Sequence, residues 1–216
     1  MYSVGQDRAL VATHLATGRS VFSLPTFAGF VYCLASNPIE PSILAVGAGD
    51  AQIRVWRTGS EQIFDITNIH AKLNQCKVLA SPLYSCPPPC TPALPPVLLP
   101  CLQVMSLCWH PSREGLLALG TDEGRVGWVE ALGSSRTPTF SGWQHRGGVY
   151  SVTWGPGVVE GEGLALYSCG DGRVVQHNTK TAKGQDIQES LDKANGWEGV
   201  RPAGRSQVGS SVALWV

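Results

Sequence analysis

The sequence predicts an all-β fold, an incomplete WD-repeat β-propeller of about three and a half four-stranded blades with a proline-rich loop insertion. Three observations predict it. A strand that ends in proline occurs three times, a tight acidic turn follows each copy at a similar distance, and an apolar strand closes each unit. Two of the copies lie 45 residues apart, which is typical of propeller blades. The alternative from the repeats alone is another all-β meander.

The first strand of each repeat is the easiest to align. The three copies are FVYCLASNP (30–38), VMSLCWHP (104–111) and VYSVTWGP (149–156). Apolar residues occupy the same offsets in each, and the copies end at Pro38, Pro111 and Pro156. Because proline cannot donate a hydrogen bond to a β-ladder, it marks the end of each strand.

A second strand, a tight turn and a third strand follow each copy. The second strands with their turns are ILAVGAGD (43–50), LLALGTDE (116–123) and ALYSCGD (165–171), and the third strands are IRVW (53–56), RVGWVE (125–130) and RVVQHN (173–178). The turn acids are Asp50, Glu123 and Asp171. The segment SVGQDRALVATHL (3–15) matches only the second and third strands of an earlier copy, which predicts half a blade there.

These matches divide the chain into four parts. Residues 1–77 hold the half blade and one blade, and residues 104–190 hold further blades. Residues 78–103 are rich in proline and lack charge, so we expect a disordered insertion or a translated intron. Residues 191–216 lose the strand–turn rhythm, and we expect a poorly ordered tail. Because so few blades cannot close a ring, we expect the chain to be a truncated product or to come from an incomplete gene model.

Composition narrows the possible functions. The formal net charge is zero and the sequence pI is about 6.9, whereas a protein that holds duplex nucleic acid mainly by neutralising phosphates is usually basic. No signal peptide or membrane-spanning apolar run is recognisable, and seven irregularly spaced cysteines favour a reduced compartment. Cys86 and Cys90 form a C-x₃-C pair with Cys76 and Cys101 nearby, but no histidine lies between them, so we expect no metal. No catalytic motif is recognisable, so we expect neither an enzyme nor a cofactor.

Several strings resemble the gem-associated protein five family, the WD-repeat, RNA-recognising subunit of the survival-of-motor-neuron (SMN) complex. They are GQDRAL, AGFVYCLASNPIEPSILAVGAGDAQIRVW, LCWHPSREGLLALGTDEGRVG, VYSVTWGP and LALYSCGDGRVVQHN. The resemblance covers residues 1–77 and 104–190 and is more specific than a generic WD repeat. The chain departs from the usual closing Trp-Asp, since its repeats close on Trp56-Arg57, Val129-Glu130 and His177-Asn178.

The resemblance implies a function for the whole family member. It implies two adjoining propellers that bind small nuclear RNA (snRNA) at its uridine-rich Sm site and its 7-methylguanosine cap for assembly of the Sm ring. It also implies other SMN-complex subunits as partners, neither DNA nor a membrane, and a location in the cytoplasm and in nuclear gems. Two alternatives remain open: a protein-scaffolding propeller without RNA binding, and a non-functional truncated product.

Four residues are the candidate RNA contacts: Arg8, Phe30, Tyr32 and Tyr150. Because the chain reverses at every strand of a blade, the turn between strands two and three lies at the same end as the start of strand one. We therefore expect the four on one face, with Met105 at the blade position between the two tyrosines and with Phe30 and Tyr32 on one side of their strand. Aromatic side chains can stack unpaired bases, and the resemblance implies these roles. The alternative is that the aromatics pack between blades, that Arg8 is a solvated turn residue, and that His145 serves internal hydrogen bonding.

Overall fold

The computed structural model describes residues 1–25, 30–50, 52–58, 66–70, 103–134, 136–157, 163–188 and 190–191. Within these ranges, fifteen strands form four antiparallel sheets, each arranged in simple sequence order. This confirms the predicted all-β, incomplete propeller. The expectations for residues 78–103 and for the tail beyond residue 191 lie outside the described residues. No helix in the described ranges is long and apolar enough to cross a membrane.

Each sheet is one blade, and we number the blades along the chain. Blade 1 contains β1 (Tyr2–Val4), β2 (Ala9–His14) and β3 (Arg19–Pro25). The first two are the strands matched in the sequence, and β3 adds the outer strand, so blade 1 has three strands rather than two. Its position for an inner first strand is unfilled within the described residues.

The other three blades each have four strands. Blade 2 contains β4 (Val31–Ser36), β5 (Ile43–Ala48), β6 (Gln52–Arg57) and β7 (Ile66–His70). Blade 3 contains β8 (Val104–Trp109), β9 (Leu116–Thr121), β10 (Arg125–Glu130) and β11 (Thr139–Gln144). Blade 4 contains β12 (Val149–Pro156), β13 (Leu164–Gly170), β14 (Arg173–Asn178) and β15 (Lys183–Asp186).

Successive blades pack face to face, and this packing forms the core. Every residue of β5 and of β9 is buried. Both strands lie inside their sheets, and blades 2 and 3 have a neighbouring blade on each face. The cluster between blades 2 and 3 joins Ile43 and Ile53 to Leu117 and Leu119. The second strands of these blades are continuously apolar in sequence because neighbouring blades bury both of their faces.

Two glycines set how closely the blades approach. A Cβ added to Gly47 would lie 2.8 Å from a methyl of Val104 in the next blade, and one added to Gly120 would lie 2.6 Å from a methyl of Val149. Both glycines occupy the same position, near the end of the second strand. The valines that start the inner strands of blades 3 and 4 therefore each pack against the equivalent glycine of the preceding blade.

Candidate nucleic-acid interface

One end of the blades carries the start of each inner strand together with the turn between strands two and three. In blade 2 the amide of Gly49 donates to the carbonyl of Phe30 at 2.9 Å. In blade 3 the amide of Asp122 donates to the carbonyl of Gln103 at 3.0 Å. In blade 4 the amide of Arg146 donates to the carboxylate of Asp171 at 3.0 Å. We call this end the upper rim, and these bonds join its two parts as the strand reversals predict.

The upper rim continues from blade 1 to blade 2 at Arg8. The carbonyl of Gly5 accepts hydrogen bonds from the amides of Arg8, at 3.2 Å, and of Val31, at 3.3 Å. The turn that carries Arg8 is thereby attached to the start of β4, between Phe30 and Tyr32. The structure brings these three candidate residues to one place although they come from two blades.

Arg8 has an unusual backbone conformation. Its φ is +62°, in the left-handed region that glycine and asparagine adopt more readily than arginine. The side chain is exposed. Strained non-glycine residues are found more often at functional sites than elsewhere, because the strain persists only where the side chain is needed or the surroundings impose it. This geometry singles out Arg8 among the exposed arginines.

A β-bulge occurs at the start of the inner strand in blades 2, 3 and 4. The antiparallel pairing skips one residue between Val31 and Cys33, between Val104 and Ser106, and between Val149 and Ser151. The skipped residues are Tyr32, Met105 and Tyr150. A bulge re-aims the side chain of its extra residue, and bulges are frequent beside functional sites. The sequence gives no sign of the bulges, although it places the three residues at equivalent positions.

The aromatic candidates are open to different degrees. Tyr150 is 66% exposed and Phe30 is 45% exposed, which is unusual for large apolar rings. Tyr32 is half-buried, with its ring edge 3.2 Å from where a Cβ on Gly49 would lie. The two-residue periodicity expected to align Phe30 with Tyr32 applies to a regular strand, whereas Phe30 precedes β4 and Tyr32 is a bulge residue.

Two carboxylates at the upper rim, those of Asp50 and Asp122, are engaged in the fold. The carboxylate of Asp50 accepts hydrogen bonds from both terminal guanidinium nitrogens of the buried Arg54, at 3.1 and 2.5 Å. Asp122, next to the predicted turn acid Glu123, accepts the amide of Gln103 at 2.9 Å. Because these charges are neutralised by a cation or directed to backbone amides, they oppose an anionic ligand less than free carboxylates would.

Below the rim lies a hydrogen-bonded series with the connectivity of a catalytic triad. The Nδ1 of His145 lies 2.9 Å from the carboxylate of Asp171, and its Nε2 lies 2.7 Å from the hydroxyl of Ser168. However, Ser168 is only 2% exposed, so a substrate cannot reach its hydroxyl in this conformation. The expected internal hydrogen bonding of His145 is confirmed, and the series links the start of blade 4 to its interior.

A second histidine extends the series into the neighbouring blade. The Nε2 of His177 lies 2.8 Å from Ser168 Oγ, and its Nδ1 lies 2.7 Å from the hydroxyl of Ser141 on β11. Burial, reinforced by the adjacent His145, lowers the pKa of His177 to about 4. The imidazole is therefore neutral at pH 7, and one nitrogen can donate while the other accepts. The hydrogen bonds of His177 to Ser141 and Ser168 thus join blade 3 to blade 4.

The other chemically reactive groups of the described part are the thiols of Cys33, Cys108 and Cys169. Burial raises the pKa of the Cys33 thiol to about 12 and also raises those of Cys108 and Cys169, which makes these thiols poor nucleophiles. Among the described residues, no group of three or more His, Cys, Asp or Glu side chains is placed to hold a metal ion. The cysteine pair at 86 and 90 lies outside the described residues.

Comparison with known proteins supports the resemblance seen in the repeats. The chain is 34% identical to human gem-associated protein 5 over 207 residues, covering 90% of this chain, and the mouse protein gives the same identity and coverage. The chain is related to gem-associated protein 5. A Dictyostelium discoideum protein, component of gems protein 5, is 26% identical to it over 132 residues. No protein-family model matches the chain.

The relationship to gem-associated protein 5 spans only part of that protein. The chain covers 12% of the length of the human and mouse proteins and 8% of the Dictyostelium protein. The predicted family resemblance is confirmed, whereas the origin of the chain as a truncated product stays a prediction.

Proposed function

We propose that the upper rim binds unpaired snRNA, at the uridine-rich Sm site and the 7-methylguanosine cap, in SMN-complex-dependent assembly of spliceosomal small nuclear ribonucleoproteins. The observation that carries the proposal is the convergence of Arg8, Phe30 and Tyr32 at one point of a rim that also exposes Tyr150. Exposed rings can stack bases of unpaired RNA, and an arginine can stack or hold phosphate. In this proposal the chain is a binding module and not an enzyme.

The proposed partners follow from the relationship to gem-associated protein 5. They are snRNA with its cap and other subunits of the SMN complex, in the cytoplasm and in nuclear gems. A methylated guanine carries positive charge, so an aromatic pair at the rim would favour a 7-methylguanosine cap over an unmethylated one. DNA and membranes are not partners in this proposal.

A protein-scaffolding role without RNA is the second candidate. The zero formal net charge favours it, because the chain offers no long-range attraction for polyanions. The two functions differ in what they require of the upper rim. RNA binding requires the exposed rings, whereas a scaffold could use any surface of the blades.

The test is the affinity of the 216-residue chain for capped, uridine-rich RNA, measured by fluorescence anisotropy at physiological salt. Tyr32→Ala and Tyr150→Ala should each cost about 1–3 kcal/mol of binding free energy, as loss of one stacked base does. Leu15→Ala is the control, because Leu15 is 74% exposed and lies in the β2–β3 turn, at the opposite end of blade 1. Affinity that neither tyrosine substitution alters, with the fold intact, would leave scaffolding as the better interpretation.

A further inference from the structure

The three bulges of the inner strands lie at equivalent positions in successive blades, and the middle one presents Met105. Tyr32 and Tyr150 flank it in blades 2 and 4. Met105 is half-buried, and the function proposed above gives it no role. Its position on the upper rim therefore raises the question of what a ligand that reaches both tyrosines would meet between them.

We propose that Met105 is a third base contact, so that the upper rim binds one continuous single-stranded RNA segment of at least three unpaired nucleotides. The segment would cross blades 2, 3 and 4 with one base against each bulge residue. This inference rests on the proposed function and names the path of the ligand and a residue that sets its minimum length.

Contacts beside the bulges show that the path is unbroken. The thiol of Cys33, next to Tyr32, donates to the carbonyl of Val104, next to Met105, at 3.6 Å. The hydroxyl of Ser106, on the other side of Met105, donates to the carbonyl of Val149 at 3.2 Å. The starts of the three inner strands are thus in direct contact, blade to blade. A ligand that lies along the rim from one tyrosine to the other must pass over the middle strand.

The spacing of the blades sets the length of the ligand. The inner strand that carries Met105 lies between the inner strands that carry Tyr32 and Tyr150. Stacked nucleotides rise by only about 3.4 Å each along a strand. A mononucleotide offers one base and cannot stack on both Tyr32 and Tyr150 across the intervening strand, whereas an extended strand with splayed bases can.

The chemistry of methionine fits the middle position. Its thioether is polarisable and favours contact with the faces and edges of aromatic rings, and its unbranched chain adapts to different shapes. The thioether donates no hydrogen bond, so it cannot read the edge of a base as a polar side chain could. Met105 would therefore add affinity for an unpaired base with little preference among bases, and less affinity than a tyrosine at this position.

The experiment measures the affinity of the full 216-residue chain for oligouridines of one to ten nucleotides, with Met105→Ala and Met105→Tyr beside the unchanged protein. For the decamer, we expect Met105→Ala to weaken binding roughly 2- to 10-fold. Met105→Tyr should tighten binding by about 5-fold or more, because it adds a full stacking platform. A mononucleotide can contact only one ring at a time, so loss of Tyr32 and loss of Tyr150 should each remove one of two independent weak sites.

A charged variant provides a second test of the contact in case the alanine variant misfolds. Met105→Glu places a carboxylate on the proposed path and should weaken decamer binding at least about 10-fold, whereas Leu15→Glu at the opposite end of blade 1 should not. Circular dichroism of each variant checks the fold. If Tyr150→Ala weakens binding while every folded Met105 variant binds like the unchanged chain, the third contact is wrong and the proposed function stands. If no rim substitution alters binding, the proposed function itself fails.

Discussion

The indole Nε1 of Trp109 donates a hydrogen bond to the carbonyl of Ala35 at 3.1 Å, which joins the inner strands of blades 3 and 2 across 74 positions of sequence. The same bond recurs one blade later, where Trp154 Nε1 donates to the carbonyl of Cys108 at 3.2 Å. These bonds lie toward the end of each inner strand, and the glycine–valine contacts lie near its start. The inner strands of blades 3 and 4 are therefore each held to the preceding blade at both ends, which keeps the starts of these strands in register along the upper rim.

Replacing Trp109 by phenylalanine should destabilise the chain more than replacing Trp56. Both indoles are almost fully buried, at 4% and 5% exposure, so the loss of ring size is similar. Trp109 loses a hydrogen bond, whereas Trp56 Nε1 has no hydrogen-bond partner among the described residues. The difference in free energy of unfolding should be about 1 kcal/mol or more, measured by urea denaturation. Equal losses would show that the Trp109 bond contributes nothing to the blade contact.

The close approach at Gly120 should not tolerate a methyl group. Gly120→Ala places a Cβ 2.5 Å from Ser106 Oγ and 2.6 Å from a methyl of Val149, so blades 3 and 4 must move apart. We expect a loss of about 1–3 kcal/mol in the free energy of unfolding. Gly147→Ala is the matched control, since its nearest neighbour would be 3.9 Å away. A Gly120→Ala protein as stable as the control would disprove the close contact between Gly120 and Val149.

The stability of the chain should fall as acid protonates His177. Its folded pKa of about 4 lies below the unfolded value of 6.5, so folding favours the neutral ring. The stabilisation is fully present above pH 6.5 and is lost as the pH falls toward 4, by about 3 kcal/mol in total. His177→Gln should be less stable than the unchanged chain at pH 7.5, and the difference should narrow by pH 4.5. Denaturation curves across this range provide the measurement.

The control for the acid dependence is His14→Gln. His14 is exposed and lies at the end of β2, away from the buried series. This variant should keep the steep loss of stability between pH 6.5 and 4, whereas His177→Gln should show a shallower one. A profile that both substitutions leave unchanged would assign the acid sensitivity to other groups.

Arg8→Asn should separate stability from RNA binding. Asparagine accepts a φ of +62° more readily than arginine, so the substitution should not strain the backbone of this turn. RNA affinity should fall nonetheless. If Arg8 contacts phosphate, the dependence of log affinity on log salt should flatten by about one unit, whereas loss of stacking would barely change it.

Arg19→Asn is the charge-matched control for this experiment. Arg19 is exposed at the start of β3, at the opposite end of blade 1 from Arg8. The same charge is removed from the chain, so a general electrostatic effect would lower RNA affinity equally in both variants. That result would remove Arg8 from the proposed interface, whereas a loss confined to Arg8→Asn would support its assignment there.

The sequence by itself determined the blades, because their inner three strands repeat apolar residues at fixed offsets. Val31, Val104 and Val149 align by eye, and each starts an inner strand. The outer strands do not share this repeated pattern. Of the outermost strands, β15 (KGQD) carries no apolar residue, and β11 (TFSGWQ) carries only Phe140 and Trp143, neither of which is fully buried. Their strand conformation depends on pairing with the third strand rather than on their own pattern.

Only the tertiary structure decided how the rim and the blade contacts are made. The repeat aligns Tyr32, Met105 and Tyr150 in sequence. The bulges that leave these residues unpaired arise only where the register between two paired strands shifts by one residue. The series from Asp171 through Ser168 to His177 and the indole bond of Trp109 likewise join residues that come together only when blades pack. A local pattern encodes which face of a strand is buried, whereas these contacts require the relative placement of strands that are distant in sequence.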